Sequence, residues 1–236
     1  MFRFLPFVLS VIAGATDTIG VLGLDGLFTA HITGNLVMLA VRIVAGRPAT
    51  VAYILSVPVF MLVLLATGGV ARAIERTGGS SLQPLLLLQL LALVAFLLLS
   101  VTAGPWRDPD AVLAITAGMC GVAAMAVQNA LSQIALKNTP TTAVMTTNVT
   151  RLMVDVASML VGGDAADTAK AKGRALNTLP VVIGFAVGCA LGAAGEAAVG
   201  LWSLMLPTAL ALFSCIIGMG RGADIRQLNQ GRPQHG

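Results

Sequence analysis

The chain has 236 residues and a formal net charge of +4, with 57% hydrophobic and only 10% charged residues. Soluble domains carry roughly 25% charged residues, so the composition excludes an ordinary water-soluble globule and indicates a membrane protein. The positive charge does not indicate nucleic-acid binding, because Lys and Arg stand at the ends of apolar runs, where they orient membrane helices.

The apolar runs predict an all-α, polytopic transmembrane helical bundle of eight segments. In chain order the segments cover about 5–24, 26–45, 51–71, 82–101, 111–136, 141–162, 179–195 and 197–218. Polar stretches at 72–81, 104–110 and 164–174 predict loops. Residues 221–236 are expected to form a basic, disordered cytoplasmic tail.

Segments 2 and 6 carry the same polar pattern. Thr29, Ala30, Thr33 and Asn35 recur at a constant offset of 113 residues as Thr142, Ala143, Thr146 and Asn148. The chain is therefore predicted to contain two internal repeats of four segments each, a first membrane repeat over residues 1–104 and a second over residues 105–220.

The beginning of segment 2 is rich in residues that form helices poorly, namely Gly26, Thr29, Thr33 and Gly34. Segments 2 and 6 are therefore predicted to be broken or re-entrant, with segment 2 unwound near Thr33, Gly34 and Asn35. Unwound backbone at membrane depth is tolerated only where protein or a water-filled cavity surrounds it, which points to a site.

Two topologies remain open. Eight spanning segments give parallel halves, whereas six spans with segments 2 and 6 re-entrant give inverted halves. Most of the 14 Lys and Arg residues lie on the side of the termini in both arrangements. The charges therefore predict that both termini are cytoplasmic but do not choose between the topologies.

Two titratable residues in the first half suggest a functional site. Asp17 lies inside segment 1, and an ionisable residue within a membrane segment is by default a functional-site hypothesis. His31 is of a type that can shuttle protons near neutral pH. At the same offset they correspond to Ala130 and Val144, so only the first half carries the titratable groups.

These residues and their polar neighbours are predicted to bind a small polar or ionic solute between segments 1, 2, 5 and 6. The predicted set is Asp17, Thr29, His31, Thr33, Gly34, Asn35, Gln128, Asn129, Thr142, Thr146 and Asn148. The competing interpretation is interhelical hydrogen bonding, worth ~0.6 kcal/mol on average in membrane proteins, with an interfacial aspartate and a structural histidine.

Two further contacts are predicted. Gly184, Gly188 and Gly192 share one helix face, which suits either a homodimer or close packing within the chain. Asp155 is predicted to pair with Arg151, four residues earlier on the same helix, in preference to Arg42 in the other half.

Enzyme chemistry finds no support in the sequence. It contains no nucleophile elbow, HExxH motif or phosphate-binding loop, and the three cysteines are far apart without a CxxC pair. The protein is predicted not to be an enzyme, and to need no cofactor and no metal.

Several motifs together resemble the YoaK-like bacterial membrane proteins, a domain-of-unknown-function family. The similarity covers about residues 5–220 and rests on Gly14-Ala15-Thr16-Asp17, Phe28-Thr29-Ala30, Thr33-Gly34-Asn35, Gln128-Asn129-Ala130 and Pro140-Thr141-Thr142 leading to Thr146. One departure is Thr147, where a glycine like Gly34 is expected. The resemblance implies a multi-pass protein of the bacterial inner membrane and supplies no substrate.

The leading functional hypothesis is a transporter or channel-like permease, with membrane lipid and the solute as its partners. The alternative is a non-transporting membrane scaffold or sensor, in which the polar motifs only hold helices together.

Overall fold

A computed structural model describes residues 4–48, 50–102, 110–136, 139–162 and 164–230, with side chains as far as residue 219. The chain forms α1 (Leu5–Gly23), α2 (Ile32–Val44), α3 (Val51–Arg76), α4 (Leu82–Thr102), α5 (Val112–Ile134), α6 (Met145–Val161), α7 (Ala165–Val199) and α8 (Met205–Gln230), with a 3-10 helix at Gly200–Leu204. No strand occurs within the ranges given. The all-α prediction is confirmed.

Among the described residues, five helical stretches are long and apolar enough to cross a membrane: Leu5–Gly23, Val51–Arg76, Leu82–Thr102, Val112–Ile134 and Ala165–Met219. About 20 helical residues cross the ~30 Å hydrocarbon core. The 55-residue stretch Ala165–Met219 is therefore long enough for two crossings, and Gly200, at a φ of +61°, interrupts it. This is the architecture of a multi-pass integral membrane protein.

Three of the predicted irregular regions are helical in part or in full. α3 continues to Arg76, so the first half of the loop expected at 72–81 is helical. α7 begins at Ala165, so the loop expected at 164–174 is wrong. The residues that follow Ala165 are mainly alanine and lysine, which are strong helix formers. α8 likewise continues to Gln230, into the segment for which a disordered tail is predicted.

The centre of the bundle is built on α1 and α5. α1 packs against α7 and α8, while α5 packs against α3 and α4. In addition α2 packs on α3, α6 on α7, and α4 on α8. α1 is the most enclosed of these helices, since 78% of its apolar window is buried, against 17% for α3.

Glycines allow α1 and α7 to approach closely. Gly184, Gly188 and Gly192 are all buried. A Cβ atom on Gly184 would lie 2.8 Å from the carbonyl oxygen of Phe7, and one on Gly192 would lie 2.8 Å from that of Ala15. Residue numbers rise together along both helices, so α1 and α7 are parallel. The glycine face is thus occupied by α1 of the same chain.

α1 and α5 run in opposite directions. A Cβ atom on Gly118 would lie 3.8 Å from Leu24, at the end of α1. Ten residues later, the Gln128 side chain donates a 2.8 Å hydrogen bond to the carbonyl oxygen of Leu9, near the start of α1. The chain therefore leaves α1 and α5 at opposite ends of the bundle.

Each of these exits leads into a non-helical segment that precedes a short helix. We call residues 24–31 the first buried loop and residues 139–144 the second buried loop. The 13 residues of α2 extend only ~20 Å. Because α2 already begins at Ile32, Thr33, Gly34 and Asn35 are helical. The prediction that segment 2 unwinds at those three residues is wrong, because the non-helical backbone lies about one turn earlier, in the first buried loop.

Candidate functional site

The first buried loop is anchored on Asp17, in the C-terminal half of α1. One carboxylate oxygen of Asp17 accepts hydrogen bonds from the backbone amides of Thr29 at 2.7 Å and Ala30 at 2.8 Å. Longer contacts come from the Thr29 hydroxyl at 3.4 Å and the His31 amide at 3.5 Å. Asp17 is only 5% exposed. It therefore supplies the acceptor that these amides would otherwise lack inside the bundle.

The second oxygen of Asp17 faces the ring of His31. Oδ2 lies 2.6 Å from His31 Nδ1, and the side chain of His31 is 36% exposed. The imidazole ring also stands edge-on to Phe28 and to Phe185 of α7, with centroid separations of 6.3 Å and 5.4 Å. The pair is thus a buried carboxylate joined to a partly accessible imidazole.

A cavity of about 330 Å³ lies against this pair. Its walls are mainly apolar, and Asp17 and His31 supply its carboxylate and its imidazole. The remaining lining comes from α1, the first buried loop and α7, namely Thr18, Val21, Leu22, Phe28, Phe185 and Cys189. An apolar pocket with a few convergent polar groups is the usual form of a small-molecule site.

Asn35, in the first turn of α2, holds the backbone of the first buried loop. Its side-chain oxygen accepts a hydrogen bond from the amide of Phe28, and its side-chain nitrogen donates to the carbonyl oxygen of Phe28, both at 2.8 Å. Asn35 is fully buried, whereas Thr33 is exposed on α2. Gly34 packs under the Phe28 ring, where a Cβ atom would lie 3.0 Å from the ring.

The base of the same loop is fixed by residues that sequence reasoning did not select. Arg42, near the end of α2, donates to the Asp25 carboxylate at 2.7 Å and to the Asp25 carbonyl oxygen at 2.9 Å. The Tyr53 hydroxyl donates to that carbonyl, and Thr50 donates to the carboxylate at 3.2 Å. The start of the loop and the end of α2 therefore lie side by side. Tyr53 is the one tyrosine in the chain, and this was the sequence feature that could have pointed to the contact.

The second buried loop has the same asparagine contact and a different anchor. Asn148 of α6 donates to the carbonyl oxygen of Thr141 at 2.6 Å. The Thr142 hydroxyl accepts from Gln128 at 2.9 Å and contacts the Ser132 hydroxyl at 3.0 Å. Ser10 of α1 donates to the Thr142 carbonyl oxygen at 3.1 Å. A neutral network thus takes the place of the Asp17 carboxylate.

Gln128 connects this network to the rest of the core. Its side-chain oxygen accepts a 2.7 Å hydrogen bond from Gln89 of α4, a residue that sequence reasoning passed over although it is one of the few polar side chains in a Leu-rich helix. Gln89, Gln128 and Thr142 are all 0% exposed. These three side chains are therefore closed off from solvent.

The predicted site residues fall into two clusters. Asp17 and Ser10, which contact the first and second loops, are separated by seven residues of α1, or about 10 Å along the helix. Thr146 is exposed on α6. Asn129 donates to the Met125 carbonyl of its own helix at 2.9 Å. The structure does not bring either of these last two residues to the cavity beside Asp17.

The local ion pair predicted for α6 is wrong. Asp155 accepts hydrogen bonds from two nitrogens of Arg174 on α7, with Nε at 2.9 Å. Asp155 lies on the buried face of α6 while Arg151 is exposed. The neighbouring helix therefore supplies the partner. Arg42, the alternative in the other half, is used by Asp25.

No group of His, Cys, Asp or Glu suited to hold a metal ion occurs among the described residues.

Comparison with known proteins gives a family and no named relative. No curated protein and no solved structure is significantly similar to the chain. A family model described as "Protein of unknown function (DUF1275)" matches residues 5–217, a range that includes α1 to α7, the first half of α8 and both buried loops. The chain therefore belongs to the DUF1275 family of proteins of unknown function.

Proposed function

We propose that this protein transports a small polar or ionic solute across the bacterial inner membrane, with both termini in the cytoplasm. The observation that carries the proposal is the Asp17 carboxylate. It is buried in α1, holds the backbone of the first buried loop, and contacts His31 at the wall of a cavity. Ionisable groups are expensive to bury at membrane depth, and interrupted helices that line a site are a common plan of transporters.

The packing supports two inverted repeats. Each helix has a counterpart four helices away, so that α1 corresponds to α5, α2 to α6, α3 to α7 and α4 to α8. When every helix is exchanged for its counterpart, the contact α1–α7 becomes α5–α3, α2–α3 becomes α6–α7, and α4–α5 becomes α8–α1. All of these contacts are present. Because α1 and α5 are antiparallel, the exchange also reverses the direction across the membrane, as in inverted-repeat transporters.

In this arrangement α2 and α6 are re-entrant. The first loop descends from the end of α1 to the level of Asp17, and α2 returns to the same side, where Arg42 meets Asp25. The second loop does the same from the end of α5, reaching the level of Ser10. Six spans with two re-entrant segments follow, and the tips of the loops approach the middle of α1 from opposite sides.

Asp17 is the coupling residue in the proposed mechanism. The ionised carboxylate holds the amides of Thr29 and Ala30, and a proton on the carboxylate weakens both hydrogen bonds, since bonds to charged groups are the stronger ones. His31 lies within bonding distance of Oδ2 and faces the cavity, so it delivers or removes the proton. The loop then moves away from α1, and the solute passes between the two loop tips.

The test uses Asp17→Asn in the full chain reconstituted into liposomes. Asparagine keeps an oxygen for the amides of Thr29 and Ala30 but cannot gain or lose a proton. Transient currents are recorded on a solid-supported membrane after concentration jumps of inorganic ions, amino acids and small carboxylates. At least one solute is expected to give a current in the wild type that Asp17→Asn abolishes.

Asp167→Asn is the matched control. It removes the same charge from an aspartate whose side chain is 77% exposed, and it should keep the wild-type currents. Currents that survive in Asp17→Asn would contradict the coupling role.

The scaffold alternative is favoured by one observation. Gln128 and Thr142, both predicted solute ligands, are fully buried and bonded inside the protein. Under this alternative no solute in the panel gives a current. In addition, none raises the thermal unfolding temperature, because a ligand that binds the folded state must stabilise it.

A further inference from the structure

A second cavity, of about 540 Å³, lies between α6, α7 and the start of the second buried loop. Its wall includes Thr139, Arg151, Val154, Asp155, Arg174 and Asn177. It is more polar than the cavity beside Asp17, and neither Asp17 nor His31 lines it. It is therefore a separate feature, and its chemistry does not depend on the proposed transport function.

The charges in this cavity are unbalanced. Asp155 is 4% exposed and is paired with Arg174, whose side chain remains 61% exposed. Arg151 is exposed and makes no hydrogen bond or ion pair with any residue in the described ranges of the chain. Among the residues that line the cavity, one carboxylate thus faces two guanidinium groups, which leaves a net positive charge. Asp167 also acts on Arg174 but lies outside this lining and pairs with Lys170.

Arg151 has an apolar counterpart in the first half. At the offset of 113 residues, Met38 stands where Arg151 stands and packs with Leu27 and Tyr53. The surplus cation is therefore a feature of the second half alone. An arginine on a membrane-embedded helix is costly unless a partner is provided, and the described chain does not provide one for Arg151.

We propose that this cavity binds the phosphate group of an anionic lipid headgroup. Guanidinium groups match phosphate oxygens in geometry and charge, and basic pockets between membrane helices are a known form of anionic headgroup site. Val154 lines the cavity and is 60% exposed, which suits contact with an acyl chain. A free phosphate ion offers the same oxygens, and the test separates the two sources.

The experiment measures thermal unfolding of the full chain in a neutral detergent. Dioleoyl phosphatidylglycerol, dioleoyl phosphatidylcholine or sodium phosphate is titrated into the wild type, Arg151→Gln and Arg72→Gln. Arg151 was chosen because it is exposed and unpaired among the described residues, so its replacement leaves the fold intact. Arg72 is exposed on α3, outside the cavity, and serves as the matched control.

Phosphatidylglycerol is expected to raise the unfolding temperature of the wild type and of Arg72→Gln more than phosphatidylcholine does. Arg151→Gln should bind it about tenfold more weakly, the effect of losing one charged hydrogen bond. A shift that depends on Arg151 with sodium phosphate, and none with phosphatidylglycerol, would overturn the lipid as source and assign the site to a soluble anion. Equal shifts in all three proteins would overturn the site itself.

Discussion

The two buried loops share one clamp and differ in their anchors. In each, an asparagine in the first turns of the following helix bonds to a loop residue seven positions earlier, Asn35 to Phe28 and Asn148 to Thr141. The first loop is then anchored on the Asp17 carboxylate, whereas the second is anchored on the neutral amide of Gln128. Both loops therefore have this asparagine contact, which we call the clamp, but only the first loop has a charged anchor.

In the proposed mechanism, a proton can release the first loop but not the second. The Asp17 carboxylate and the His31 imidazole border a cavity, and both are types that ionise. The network around Gln128 contains amides, hydroxyls and backbone carbonyls, none of which ionises in the physiological range. We therefore expect the first loop to move during a transport cycle and the second to act as a fixed wall.

The largest effect is expected from removing the charged anchor. Asp17→Ala leaves the buried amides of Thr29 and Ala30 without an acceptor and His31 without its partner. Loss of one partner of a buried charged contact costs about 3–5 kcal/mol, so we expect a large fall in the free energy of unfolding, measured by denaturant titration in detergent.

Asp167→Ala is the control for that measurement. Its side chain is 77% exposed, and the change should stay within about 0.5 kcal/mol. A loss for Asp17→Ala no larger than that of the control would mean that the first loop does not depend on the carboxylate.

A smaller loss is expected from Gln128→Leu at the neutral anchor. It removes the hydrogen bonds to Leu9, Thr142 and Gln89 and should cost about 2–3 kcal/mol, because buried polar partners are left unpaired. Gln133→Leu, at an exposed position of the same helix, controls for the substitution and should change stability little.

The double variant Gln89→Leu/Gln128→Leu sharpens the test of the neutral network. Replacing both members of a hydrogen-bonded pair leaves neither unpaired, so the double loss should be smaller than the sum of the single losses by about 1 kcal/mol. Strict additivity would show that the two glutamines act independently.

The apolar runs were enough to predict the all-α membrane architecture. The recurrence of Thr29 and Asn35 as Thr142 and Asn148 singled out segments 2 and 6, which begin in the two buried loops. The exact break could not be predicted, because the low helix propensity of Thr33 and Gly34 is outweighed by side-chain bonds. Asn35 fixes Phe28 and Asp17 fixes the next residues, so α2 begins at Ile32.

The partners of charged residues were the least predictable part. Asp155 bonds to Arg174 on the next helix, although Arg151 stands closer in sequence at a favourable spacing. Arg42 likewise bonds to Asp25 across the first loop. Such pairings depend on which face of a helix is buried and which helix packs there. Neither follows from spacing along one helix.

The smallest effect concerns the clamp that the two loops share. Asn35 both accepts from and donates to Phe28, with two bonds at 2.8 Å. Asn148 donates one bond to Thr141, and its side-chain oxygen has no partner among the described residues. Asn35→Ala should therefore cost about 1 kcal/mol more than Asn148→Ala, the net contribution of one additional hydrogen bond.

Asn129→Ala, which removes a contact within one helix, sets the baseline in the same denaturant titration. Equal losses at Asn35 and Asn148 would mean that the two clamps are equivalent, and the asymmetry between the loops would then reside in the anchors alone.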